Sequence, residues 1–103
     1  MYTCDLSVTD FSVVIADRES NIWLKVFPRD YAGLAEFILS GLRGKSESYV
    51  INKHAIFWVA DTPKESIIVM TSLSLYPASY MLSRQEAIRT VHVLCEAEEK
   101  WME

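Results

Sequence analysis

Residues 66–76 alternate without a break, with Ile67, Val69, Thr71, Leu73 and Leu75 on one side of an extended chain and Ile68, Met70, Ser72, Ser74 and Tyr76 on the other. A period of two fits a β-strand and no helix. A strand with one wetter face needs neighbouring strands beside it and a layer over its drier face, and the rest of the chain has to supply both.

The neighbouring strands are legible on either side of one helical stripe. Residues 11–16 are β-branched and half-alternating, residues 17–21 form a polar cluster suited to a turn, and residues 22–27 read as the returning arm of a hairpin. Pro28 stops that ladder by removing an N–H donor. Asp30 is placed to cap a helix whose apolar positions Tyr31, Leu34, Ile38 and Leu42 repeat at three and four, with Phe37 widening the stripe and Gly41 or Gly44 supplying the left-handed stop. Residues 48–51 and 55–60, separated by Asn52, Lys53 and His54, read as a second hairpin, and residues 61–65 as a turn.

Ser83 and Glu86 stand at the spacing of a capping box, in which hydroxyl and carboxylate satisfy each other's backbone donors at a helix start. The helix that follows is expected to run to Trp101 and to bury Ala87, Ile88, Val91, Leu94, Cys95 and Trp101. The order β-β-α-β-β-β-α predicts an α+β fold: a two-layer sandwich with an antiparallel sheet of about five strands and both helices on one face. At 103 residues the chain is one domain, 1–103.

The formal net charge is −4 and the isoelectric point near 5.1. The basic residues are scattered, so direct nucleic-acid or anionic-membrane binding is not expected. The first residues lack the basic and apolar regions of an export signal, and no apolar run approaches spanning length, which predicts a cytoplasmic protein with Cys4 and Cys95 as reduced thiols.

His54 and His92 are the only histidines and neither has a nucleophile at a diagnostic spacing. Glu96, Glu98, Glu99 and Glu103 are the only acidic cluster, and on one helix they point around several faces. Gly33, Gly41 and Gly44 form no phosphate-cradling loop. No catalytic residue, metal or cofactor is expected. Negative charge late in a helix opposes the helix dipole, which marks Glu96 and Glu99 as candidates for contact with something else.

What exceeds the needs of a simple core is an apolar surplus on the strands. If Ile22, Leu24 and Val26 face the helices, Trp23, Lys25 and Phe27 face away. Both sides of residues 55–60 are apolar, so either Phe57 and Val59 or Ile56 and Trp58 lie on the outer face. The alternative is that edges and loops fold over these residues, or that Trp58 lies in the core. The candidate partner-binding set is therefore Trp23, Lys25, Phe27, Phe57, Trp58, Glu96 and Glu99.

The segment from Leu82 through Ser83, Arg84, Gln85, Glu86, Ala87 and Ile88, leading from strands into a final helix that ends Lys100-Trp101-Met102-Glu103, resembles the C-terminal end of small bacterial immunity proteins of polymorphic toxin systems. The resemblance covers about a fifth of the chain. It implies a protein partner, a cognate toxin or defence effector, that is bound and blocked without catalysis. The expected function is thus a stoichiometric inhibitor of immunity or phage anti-defence type acting on a basic partner. A homodimeric adaptor using an exposed sheet face is the second expectation, and a small ligand-binding protein or enzyme the third.

Overall fold

The computed structural model describes residues 4–8, 12–17, 22–45, 48–51, 55–73 and 78–102, and of residues 4–8, 17, 22 and 23 the backbone course only. Its elements are β1 (Cys4–Val8), β2 (Val13–Asp17), β3 (Ile22–Val26), α1 (Pro28–Leu42), β4 (Ser48–Ile51), β5 (Ala55–Asp61), β6 (Ser66–Ser72), β7 (Ser79–Leu82) and α2 (Arg84–Trp101). Two antiparallel sheets form, in the orders β1-β2-β3 and β4-β5-β6-β7. The fold is α+β, as the sequence predicts, but the single sheet of about five strands is replaced by two sheets with seven strands among the described residues. Both sheets touch one helix pair: α1 packs on α2, β4 and β6, and α2 also meets β1, β2, β6 and β7.

Two strands escape the sequence reading for identifiable reasons. The extended run predicted over residues 66–76 stops at Ser72, whose N–H donates to the Ala78 carbonyl at 2.8 Å as the chain doubles back into β7. Residues 74–77, the end of that predicted strand, lie outside the described residues. The other missed strand, β1, holds one β-branched residue, Val8, and no aromatic, so its composition does not mark it as a strand in the way that those of β2 and β3 do.

Helix α1 begins with Pro28 at its first turn, where the missing N–H costs nothing, and Phe27 occupies the N-cap position without a side-chain cap. Asp30 is therefore not the cap. Its Oδ1 instead accepts a hydrogen bond from the Tyr49 hydroxyl at 3.0 Å, tying the first turn of α1 to β4. Phe37, further along the helix, lies with its ring centre 6.1 Å from that of Tyr49. Gly44, at φ 89°, takes the left-handed position past the helix end. Gly41 serves a different purpose. A Cβ there would fall 2.6 Å from Ile68 Cδ1 and 2.9 Å from Val59 Cγ2, so glycine is what lets α1 settle onto β5 and β6.

Burial and the Asp30 hydrogen bond, then the Asp30 charge, raise the Tyr49 pKa above the ordinary 10.0, against a lowering by Arg29. The folded state thus favours the neutral phenol. The associated stability is in place below the unfolded value and is lost as pH rises through the folded one. Alkaline unfolding is accordingly expected to be delayed in Tyr49→Phe relative to the wild type, once each is referred to its own neutral-pH stability. Denaturation midpoints across the alkaline range measure this, and parallel curves would contradict it.

Helix α2 starts at the predicted capping box. The Ser83 Oγ accepts from the Glu86 N–H at 3.1 Å, and Glu86 Oε1 accepts from the Ser83 N–H at 3.0 Å. The second Glu86 oxygen accepts from the Tyr80 hydroxyl at 2.6 Å, which joins the helix start to β7 and explains how a carboxylate is accommodated in a buried position. Ser83→Ala is expected to cost about 0.5–2 kcal/mol in chemical denaturation, and a loss indistinguishable from zero would mean the cap bond carries no weight. The buried stripe of α2 is Glu86, Ala87, Thr90, Val91, Leu94 and Ala97. Ile88, Cys95 and Trp101, predicted to be buried, are exposed. Cys95 stands 100° around the helix from Leu94, just outside the arc that the core can cover.

One hydrophobic cluster joins both sheets to the helices: Val13, Ile15, Leu24 and Val26 from the first sheet, Ile51, Ala55, Phe57, Ile68, Met70 and Leu82 from the second, with the inner stripes of α1 and α2 between them. Among the described residues no helix is long and apolar enough to cross a membrane.

Candidate functional site

The β4–β7 sheet has its helix-facing side in that cluster, and strand parity fixes what lies on the other side. Register places Ser48, Trp58, Val69 and Met81 in one row across the four strands; Val50, Ile56, Thr71 and Ser79 in a second; and Ala60 opposite Ile67 in a third. None of these ten side chains is ionisable. Trp58 is 39% exposed, Val50 54% and Met81 64%. Val69, between Trp58 and Met81 in its row, is 3% exposed yet does not belong to the hydrophobic core cluster.

Three polar side chains of this face are paired with one another. Trp58 Nε1 donates to Thr71 Oγ1 at 3.0 Å, and Thr71 Oγ1 shares a 2.8 Å hydrogen bond with Ser79 Oγ. Covering the face would therefore leave these groups with their partners, avoiding the penalty of a buried unsatisfied donor. Where β6 and β7 diverge, the face continues into a shallow groove of about 150 Å³ lined by Glu65, Ile67, Met81, Leu82, Ser83 and Arg84. Small-molecule sites typically enclose about 300–1,000 Å³, so the groove suits a single side chain better than a metabolite.

The predicted partner-binding residues do not converge. Trp58 lies on the outer face. Phe57, its neighbour in β5, is fully buried opposite Tyr49 and Met70 and is a core residue, not a surface one. Lys25 and Phe27 are exposed at the end of β3, in the other sheet, while Leu24 and Val26, which alternate with them, are buried. The Trp23 side chain lies outside the described residues, as does His54. Glu96 and Glu99 are exposed on α2, on the helix-bearing side of the β4–β7 sheet, opposite Trp58. Val50, Val69 and Met81 were missed by sequence reasoning. The parity of β4 and β6 could have found the first two; Met81 required recognising β7.

Among the described residues no three His, Cys, Asp or Glu side chains are grouped to hold a metal ion. Fold and surface together describe an α+β domain in which, among the described residues, the outer face of the β4–β7 sheet carries no ionisable side chain and no second layer covers it. No protein-family model, curated protein or solved structure matches the chain.

Proposed function

We propose that this chain is a non-catalytic, stoichiometric protein-binding inhibitor of immunity or anti-defence type, and that it docks its partner through the outer face of the β4–β7 sheet. The observation that carries this reading is the ten-residue face without an ionisable side chain, on which the Trp58 indole and the Thr71 and Ser79 hydroxyls are already paired with one another. Contiguous uncovered apolar surface of this kind marks interaction sites, and Trp58 has the character of an anchor at the centre of one. The resemblance of residues 82–103 to immunity proteins supports the same class. Glu96 and Glu99 would act at long range, steering the acidic chain toward a basic, nucleic-acid-processing partner without sharing the contact made by Trp58. A homodimeric adaptor built on the same face is the second reading.

A photo-crosslinking residue placed at Val50 or Met81, with Lys100 on α2 as the control position, tests the docking surface in the native host. A discrete adduct with another protein is expected from positions 50 and 81. Adducts from position 100 alone, or from none, would contradict it.

A further inference from the structure

We propose that Met81 is a peroxide-sensitive modification site on the outer face of the β4–β7 sheet, and that conversion of its thioether to the sulfoxide weakens docking there while leaving the fold intact. This rests on the reading of that face as a docking surface and adds how the surface is regulated.

Of the methionine side chains that the structure describes, Met70 is fully buried, Met81 is 64% exposed and Met102 is 76% exposed. A hydroperoxide therefore reaches the sulfur of Met81 and Met102 and is kept from that of Met70. Only Met81 stands on the face: it lies opposite Val69 in the β6–β7 ladder, in the row that Trp58 and Ser48 complete. Met102 caps the far end of α2. No other sulfur occurs among the ten outer positions.

The sulfur lone pair attacks one oxygen of the hydroperoxide, the O–O bond breaks as the S–O bond forms, and the departing oxygen takes the proton of the transferred one and leaves as water or an alcohol. Sulfur loses two electrons and the peroxide gains two, so a hydroperoxide is the only co-reactant. A flexible apolar side chain becomes a polar one carrying an acceptor oxygen. On this face the one side-chain N–H is already committed, because Trp58 Nε1 donates to Thr71 Oγ1, and Thr71 and Ser79 share a hydrogen bond with each other. Water satisfies the sulfoxide in the free protein. Beneath a docked partner it loses that water, and an acceptor buried without a donor weakens the complex. The fold is spared because Met81 lies on the edge strand β7 and outside the hydrophobic cluster. Met70, in the core of the neighbouring strand β6, stays reduced while the chain is folded and so reports any unfolding.

The test treats the purified chain, carrying the photo-crosslinking residue at position 50 on the opposite edge strand, with hydrogen peroxide. Dithiothreitol then returns the cysteines to thiols and leaves the sulfoxide in place. Peptide masses, a melting curve and the adduct yield in extract of the native host are read on the same sample. Met81 is expected to oxidise about tenfold faster than Met70 or more, with the melting temperature unchanged and the adduct yield lowered about tenfold. Adduct formation by Met81→Leu should resist peroxide and that by Met102→Leu should not. Met81→Gln, polar and of similar length, should lower the yield without any peroxide. Oxidation of Met81 no faster than that of Met70, a Met81→Leu protein as peroxide-sensitive as the wild type, or an adduct that survives both full oxidation of Met81 and the Met81→Gln substitution would overturn the proposal and leave the docking reading standing. No adduct from the untreated protein would overturn both.

Discussion

Phe57→Ala is expected to destabilise the chain by about 3–5 kcal/mol, the cost of removing a large aromatic from a core that cannot collapse around the space. Phe57 is fully buried at the middle of β5, with Tyr49 of β4 and Met70 of β6 directly opposite it in the two flanking ladders. The inner stripe of α1 closes the same cluster from above. For a domain of this length each kcal/mol corresponds to about 4–8 °C in melting temperature, so the loss should be plain in a thermal scan as well as in denaturant. A change below about 1 kcal/mol would mean that β5 presents its other side to the core. Phe57 and Trp58 would then have exchanged roles.

Trp58→Ala should give the reverse pattern. Its indole is partly exposed and its one hydrogen bond runs to Thr71 on the same outer face, so truncation is expected to change stability by no more than about 1 kcal/mol. Association through the face should weaken by about 2 kcal/mol or more, close to thirtyfold, because aromatic anchors dominate such contacts. Titrating self-association, or the yield of a crosslinked partner, beside a melting curve on the same protein reads both quantities. A collapsed fold would return Trp58 to the core and remove the basis for the docking face.

The contrast between these neighbours shows where the sequence is informative and where it is silent. Local chemistry was legible: the Ser83–Glu86 capping box forms as spaced, Leu24 and Val26 of β3 are buried while Lys25 and the following Phe27 are exposed, and α1 buries Tyr31, Leu34, Phe37 and Ile38 of its three-and-four stripe, with Leu42 partly buried. Which side of β5 faces inward was not. Both sides are apolar, so periodicity alone cannot choose, and only the pairing with Tyr49 and Met70 decides for Phe57. The division into two sheets was hidden for a related reason. An alternation that ran on past Ser72 gave no sign of the reversal into β7, and with β7 unseen Met81 could not be placed beside Val69 and Trp58. Asp30 illustrates a third limit: a residue suited to capping is drawn off by a tyrosine 19 positions away, a contact that no local rule anticipates.

Oxidative footprinting of the protein in extract of its native host, compared with the purified chain at high dilution, tests the docking face most directly. Trp58 and Met81 on the face have chemically matched controls in Trp101 and Met102, which are exposed at the end of α2. The account predicts that Trp58 and Met81 are protected in the extract while Trp101 and Met102 react as they do in the dilute protein. Equal reactivity at all four residues, or protection confined to Trp101 and Met102, would contradict it.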